Sequence, residues 1–141
     1  METALLRKRI TDTIEQAKRA ATARRSRAAA AAQDYSVFLD TIAVPLFRQC
    51  AQTLKAAGYP FSVFTPSGSV RLMSDRSADD YIELSLDASG EGALVIGHVS
   101  HARGRRIAET ERAIAERSVG QLSEEDLLTF LLTELAPFVE R

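Results

Sequence analysis

The sequence has little of what marks a disulfide-bonded, secreted or membrane-spanning protein. Its 141 residues include one cysteine, Cys50, which excludes a disulfide within the chain and fits a reducing compartment. No apolar run approaches the roughly 18–20 residues that a membrane-spanning helix needs. The N-terminal residues also lack the continuous apolar segment of a secretory signal. We therefore expect a cytoplasmic protein with no membrane partner.

The charge of the chain is nearly balanced, but it is unevenly distributed. The formal net charge is −1, so the whole molecule is no obvious binder of polyanions. Residues 1–32 hold eight Lys or Arg against three Asp or Glu, whereas residues 118–141 hold one Arg against five acids. A basic segment of this kind can be an arm that binds nucleic acid. The two ends could equally attract each other, within a chain or between chains.

Glycine and proline are both absent from residues 1–44, and alanine is abundant there, which predicts helix. The apolar residues recur alternately every four and three positions, as in the seam of a coiled coil. Only Arg24 breaks the series, which runs Ile10, Ile14, Ala17, Ala21, Arg24, Ala28, Ala31, Tyr35, Phe38 and Ile42. Because the series keeps its phase across residues 28–32, we expect one continuous helix over residues 3–57. The alternative is a hairpin at Gln33-Asp34, with Asp34 capping a second helix.

Proline and glycine shape the second half of this helix. Pro45 removes one backbone hydrogen bond, so we expect a kink near residues 41–45. Gly58 and Pro60 are a typical stop signal. From Tyr35 onward the apolar side chains are larger, so this half of the helix is expected to face the core.

The sequence divides into a basic, alanine-rich helical arm over residues 1–33 and a single α+β domain over residues 34–141. A domain of this size leaves much of the arm with no surface of its own chain to cover, and an isolated helix is marginal in water. We therefore expect a partner for the arm, either a second copy or another protein; a solvated arm is the alternative. The residues of the expected seam are Leu6, Ile10, Ile14, Ala17, Ala21 and Ala28.

Alternating apolar and polar residues predict an antiparallel sheet after residue 60. The last candidate strand, residues 105–114, also fits a helix, but the hairpin chemistry of Gly104 favours a strand. Ser123 and Asp126 resemble a capping box at the start of a final helix, which Pro137 is expected to end or kink. The expected strands are residues 61–65, 69–73, 81–86, 93–101 and 105–114.

Two histidines stand three residues apart, at His98 and His101. On a strand, residues with this spacing point to opposite faces of the sheet, so the two rings cannot share a metal ion unless the strand bulges. We therefore expect no metal site. Each histidine is interpreted as a core residue or as the rim of a pocket.

Arginines crowd the expected hairpin around Gly104. Arginine clusters bind phosphate and carboxylate groups well, so Arg103, Arg105 and Arg106 are candidates for anion binding. The alternative is a solvated or salt-bridged surface neutralised by the glutamates that follow, Glu109, Glu111 and Glu116.

No catalytic signature is present in the sequence. Cys50 lies on the apolar stripe of a helix, where an inert thiol is expected. The acids Asp79, Asp80 and Glu83 are interpreted as solvated side chains. We expect no cofactor and favour a protein that is not an enzyme.

These patterns together predict an α+β fold. It consists of a long kinked N-terminal helix, an antiparallel meander sheet of four or five strands, and a short C-terminal helix packed beside the long helix. The leading functional hypothesis is a small non-catalytic interaction or scaffold protein that self-associates through its helices as a homo-oligomer. The alternatives are a nucleic-acid accessory protein that uses the basic arm without sequence preference, and a small-ligand binder with an arginine-lined pocket.

Overall fold

The computed structural model describes residues 1–90 and 92–140, and it confirms the α+β architecture. A long helical rod leads into a five-stranded antiparallel sheet, and a shorter helix closes the fold. In chain order the elements are helix α1 (Thr3–Phe38), a π-helical turn (Leu39–Ala43), helix α2 (Val44–Ala56), strands β1 (Phe61–Phe64), β2 (Val70–Ser74), β3 (Tyr81–Asp87), β4 (Leu94–Arg103) and β5 (Arg106–Ala113), a 3₁₀ turn (Val119–Gln121) and helix α3 (Glu124–Val139).

Helix α1 runs without a break through Gln33 and Asp34, so the hairpin alternative is wrong. Asp34 caps no second helix. Its carboxylate instead approaches the 3₁₀ turn so closely that a Cβ on Gly120 would lie 3.1 Å from Oδ2. The absence of a side chain at Gly120 therefore lets the chain pass directly beside α1.

The irregularity expected before Pro45 is a π-helical turn over Leu39–Ala43. A proline ring clashes with the carbonyl four residues earlier in an α-helix, and a π turn widens the helix where it occurs. Within this turn, the Thr41 hydroxyl donates to the Val37 carbonyl at 2.7 Å. The rod therefore continues past the proline into α2.

The sheet is a meander in which each strand pairs with its neighbour in sequence, in the order β1-β2-β3-β4-β5. Residues 106–113 form a strand and not a helix. The turn before it is shorter than expected: Arg103 pairs with Arg106, which leaves a two-residue loop of Gly104 and Arg105. Gly104 has φ of +60° at the first loop position, as in the II′ turns that suit the twist of a hairpin.

The sheet has two different faces. The inner face packs against α2 and α3 and carries the buried apolar residues, and the predicted alternation of β3 and β4 is confirmed. On α3, Phe130 packs over Gly97 of β4, and Phe138 meets Phe61 of β1 edge-to-face at 5.9 Å between ring centroids. The outer face carries the intervening residues, most of them half-buried or exposed. Buried inner-face residues include Val70, Leu72, Ile82, Leu84, Val95 and Val99.

Helix α3 begins with the expected capping box. Ser123 Oγ accepts from the Asp126 N–H at 3.1 Å, and Asp126 Oδ2 accepts from the Ser123 N–H at 3.0 Å. These hydrogen bonds lower the pKa of the Asp126 carboxyl. The helix continues through Pro137 and ends at Val139, whose carbonyl accepts from the Tyr59 hydroxyl at 3.3 Å. It also contacts the π turn, so it lies beside the long helical rod.

Tyr35 joins the long helix to the sheet and gives a pH-dependent prediction. Its buried hydroxyl donates to the Gly68 carbonyl at 3.2 Å. Burial, and secondarily the negative charge of Glu83, raises the pKa of Tyr35 from 10.0 to about 12. The folded state therefore favours the neutral phenol. This contribution to stability is complete below about pH 10 and is lost as the pH rises towards about 12.

The variant Tyr35→Phe removes this titration together with one hydrogen bond. Near pH 8 we expect it to lower the free energy of unfolding by about 1 kcal/mol. Between pH 10 and 11.5 the wild-type protein should lose stability faster than the variant. Urea unfolding at several pH values measures the difference between the two proteins. A difference that stays constant through this range would contradict the raised pKa.

Candidate functional site

The N-terminal arm, residues 1–33, is the most unusual surface of the molecule. Residues 1–20 are all exposed although they lie almost entirely within α1. At ~1.5 Å per residue, the helix from Thr3 to Arg27 extends for about 38 Å. Ile10 and Ile14 remain 51% and 49% exposed on this rod. An isolated helix of this kind gains little stability from packing and is marginal in water.

The seam of the arm continues the stripe that the domain itself buries. Towards the C-terminal end of α1, Tyr35 and Phe38 on the same stripe are 5% and 3% exposed and belong to the core. Ala21 and Ala28 are partly buried, whereas Leu6, Ile10, Ile14 and Ala17 are exposed. One apolar stripe, interrupted at Arg24, is therefore exposed to solvent at its N-terminal end and buried in the core at its C-terminal end.

Arginines mark the point where the arm meets the domain. Arg24, Arg25 and Arg27 line a cleft of about 270 Å³ between α1 and the turn that joins β3 to β4. Further along the arm, Glu15 lies 3.9 Å from Arg19, an exposed pair that contributes little to stability. The basic charge of the arm is therefore presented to solvent along its whole length.

A second candidate site surrounds His101. Strand β4 continues beyond the end of β3, because Tyr81 is the first residue of β3 and pairs with Ser100. Asp80 Oδ1 accepts from the Ala102 N–H at 2.8 Å and so extends the ladder with a side chain. The same oxygen lies 3.5 Å from His101 Nδ1. Asp80 and His101 are 4% and 8% exposed, so this is a buried ionisable pair.

His101 faces a small, largely apolar groove between the β4–β5 hairpin and α3. The groove encloses about 180 Å³. The Phe138 ring packs edge-to-face on the His101 ring with 4.7 Å between centroids. Charged groups at the groove are Arg103 and Glu134, and Glu134 is held by Arg112 at 2.8 Å. We call this the His101 groove.

The other candidate residues near the hairpin lie elsewhere. His98 is on the outer face, with Nε2 3.3 Å from Glu111 Oε1, so the two histidines point to opposite faces as expected. Arg103, Arg105 and Arg106 are all exposed at the tip of the hairpin. Of these three arginines, Arg103 is the one that lines the His101 groove.

The sequence interpretation of the acids was wrong for two of the three. Asp79 is exposed in its turn, but Asp80 is buried beside His101. Glu83 binds Arg71 through two hydrogen bonds of 3.1 and 3.3 Å. The position of Asp80, directly before a strongly alternating strand, was the available signal. The contact of Asp80 with His101 and Ala102 was not predictable in this way, because it depends on how far β4 extends beyond β3.

The described residues do not place Cys50 in a reactive setting, and they do not cluster metal-ligating side chains. Burial raises the pKa of the half-buried Cys50 thiol, which disfavours the nucleophilic thiolate. Within residues 1–90 and 92–140, no group of three or more His, Cys, Asp or Glu could hold a metal ion. In the same part of the chain, no helix is long and apolar enough to cross a membrane.

No protein-family model, curated protein or solved structure matches this chain. Among the described residues, more of the large exposed apolar side chains lie on the arm than on any other surface.

Proposed function

We propose that this chain is a small non-catalytic interaction protein that self-associates through its N-terminal helix. The observation that carries the proposal is the apolar stripe of α1, which is buried at Tyr35 and Phe38 and uncovered at Leu6, Ile10 and Ile14. A second copy of the chain could cover these exposed side chains, and most soluble oligomers are homo-oligomers.

The seam can contribute a moderate binding energy. Burying an exposed leucine or isoleucine completely contributes about 1.5–3 kcal/mol, so the three large seam residues are the expected anchors. The alanines at positions 17, 21 and 28 bury little area but allow a close approach. Self-association with a binding energy of this size depends on protein concentration, and we expect a dissociation constant in the micromolar range.

Aspartates on the seam should abolish self-association. The double variant Ile10→Asp with Ile14→Asp places two charges where apolar contact is required, and burying an unpaired charge is strongly unfavourable. We expect the dissociation constant to rise by roughly 100-fold or more. Light scattering on a sizing column measures the absolute mass, which should fall to that of one chain, 15.4 kDa.

The matched control carries the same charge on the opposite side of the helix. At ~100° per residue, Gln16 and Ala23 lie away from the seam, and both are exposed. Gln16→Asp with Ala23→Asp should leave the mass unchanged, with circular dichroism checking helix content in both variants. An unchanged mass for the Ile10 and Ile14 variant, with the wild type oligomeric, would contradict the proposed seam. A monomeric wild type would contradict self-association altogether.

Binding of nucleic acid is the second candidate for the arm. It is favoured by the exposed basic side chains and by Arg24, Arg25 and Arg27 around one cleft. The arm has no aromatic residue before Tyr35 on which single-stranded bases could stack, so such binding would be electrostatic and would fall steeply with salt. Excess absorbance at 260 nm on the same sizing peak, and salt-dependent retention on heparin that depends on the arm, would favour this candidate.

Binding of a small ligand is the third candidate, and the His101 groove favours it. Arg103 and His101 stand beside an apolar wall that includes Phe138. A wider cleft of about 750 Å³ lies between the π turn and the β1–β2 turn, where Asp40 and Arg48 contribute charge. Both clefts are open to one side. The His101 groove is largely apolar, whereas the lining of the wider cleft also includes the hydroxyl groups of Ser67 and Ser69.

A further inference from the structure

The outer face of the sheet is organised in rows that cross all five strands. One row is Phe64, Arg71, Glu83, His98 and Glu111, in which each residue is the direct partner of the next. The parallel row is Ser62, Met73, Tyr81, Ser100 and Glu109. The rows combine apolar groups with carboxylates, and they lie opposite the face that α2 and α3 cover.

This outer face is acidic. Within it, Arg71 is paired with Glu83 and also stacks over the Tyr81 ring at 4.2 Å from the centroid. In these rows Glu109 pairs with Ser100 and Glu111 pairs with His98, so neither has an arginine or lysine as its cross-strand partner. Nearer the β3–β4 turn, Asp87 pairs with Leu94. Glu109 and Asp87 are exposed, and Glu111 keeps 61% of its side-chain surface.

The outer face also exposes large apolar side chains at its two margins. Phe64 on β1 is 46% exposed, and Ile107 on β5 is 52% exposed. Met73, Tyr81 and Ile96 between them are half-buried. The face therefore offers apolar contact and negative charge together.

The arm has the complementary composition. At ~100° per residue, Arg7 and Lys18 flank the seam on one side, and Arg9 flanks it on the other. The acid Glu15 lies towards the back of the helix, where it approaches Arg19. The surface that carries Leu6, Ile10 and Ile14 is therefore apolar with basic margins.

We propose that the seam of one copy docks on the outer sheet face of a second copy, an inference that rests on the proposed self-association. Pairing two arms with each other would bring basic margins together, and like charges at a contact are unfavourable. Docking with the N-terminal end of the arm over β5 brings Arg7 and Arg9 towards Glu109 and Glu111. The excess of basic residues on the arm would then face the acidic outer sheet of a second copy.

The dimensions of the two surfaces agree. Five strands at a spacing of ~4.8 Å span about 19 Å between the outermost strands. The seam from Leu6 to Ala21 extends for about 22 Å at ~1.5 Å per residue. One arm can therefore cross the whole outer face, from the margin at Phe64 to the margin at Ile107.

Charge reversal on the outer face tests this inference. We expect Glu109→Lys with Glu111→Lys to weaken self-association by roughly tenfold or more at 0.1 M salt, measured by sedimentation or light scattering over a dilution series. Reversing the arm as well, with Arg7→Glu and Arg9→Glu in the same chain, should restore association. The wild-type association should also weaken as salt is raised, because exposed charges are screened.

The matched control applies the same charge change elsewhere. Asp79→Lys with Glu116→Lys alters two exposed turn residues and should leave the mass unchanged. If the Ile10 and Ile14 variant dissociates while the Glu109 and Glu111 variant associates like the wild type, the arm docks elsewhere and the inference is overturned. Failure of the restoring variant has the same consequence. If the wild type is oligomeric and neither variant changes the mass, self-association through the arm, as proposed above, fails as well.

Discussion

Replacing Gly97 with alanine is expected to lower the free energy of unfolding by about 2–3 kcal/mol, the cost of overpacking a tight core. Gly97 lies on the inner face of β4 directly beneath Phe130 of α3. A Cβ at this position would meet Phe130 Cζ at 2.2 Å, far inside van der Waals contact. Phe130 is 1% exposed, so moving its ring aside would disturb the groups packed around it. Thermal unfolding should show a decrease in Tm of roughly 6–12 °C.

Two comparisons assign this effect to the contact with Phe130. Gly92→Ala is the matched control, because a Cβ at Gly92 meets nothing within 4 Å, and it should change stability by less than about 0.5 kcal/mol. Phe130→Leu removes the outer ring atoms, so the double variant should be more stable than the sum of the single effects predicts. Strict additivity, or a Gly97→Ala protein as stable as the wild type, would show that α3 does not press on β4 at this point.

Replacing Asp80 with alanine is expected to lower the free energy of unfolding by about 2–4 kcal/mol. The substitution removes the acceptor of the Ala102 N–H, at 2.8 Å, and the carboxylate beside His101 Nδ1, at 3.5 Å. Asp80 and His101 are both buried, and a hydrogen bond to a charged group contributes more there than at the surface. Urea unfolding measures the loss. The oligomeric mass should stay the same, because the His101 groove is remote from the seam in the proposed assembly.

Conservative and neighbouring substitutions separate the parts of this contact. Asp80→Asn keeps an oxygen that can accept from Ala102 and should recover part of the loss. Asp79→Ala, one residue earlier and exposed, should be within about 0.5 kcal/mol of the wild type. A double-mutant cycle between Asp80→Ala and His101→Ala measures their coupling, and a coupling energy near zero would show that the two side chains act independently.

The regular parts of the fold were predictable because their periods are local. The four-and-three spacing of α1 requires no knowledge of the rest of the chain, and neither does the alternation of Ile82 and Leu84 on β3. The opposite placement of His98 and His101 follows from the two-residue period of a strand alone. These features hold whatever packs against them.

The contacts that define the candidate sites were not predictable in the same way. The burial of Asp80 depends on the β3–β4 register, which lets β4 continue beyond Tyr81. The requirement for glycine at position 97 depends on the position of Phe130, 33 residues later in the chain. The outer rows depend on four successive registers, each set by the turn before it. Such relations are properties of the assembled sheet.

The two edge strands of the sheet, β1 and β5, affect which kinds of assembly this protein can form. A free strand edge normally invites another strand to add to it, which is a route to fibres and aggregates. Here β1 is only four residues long, and β5 is charged along its length and exposed on both sides until Ala113. Short and charged edges both oppose backbone pairing. The proposed contact between copies therefore uses side chains, and it predicts assemblies that come apart on dilution rather than an extended cross-β polymer.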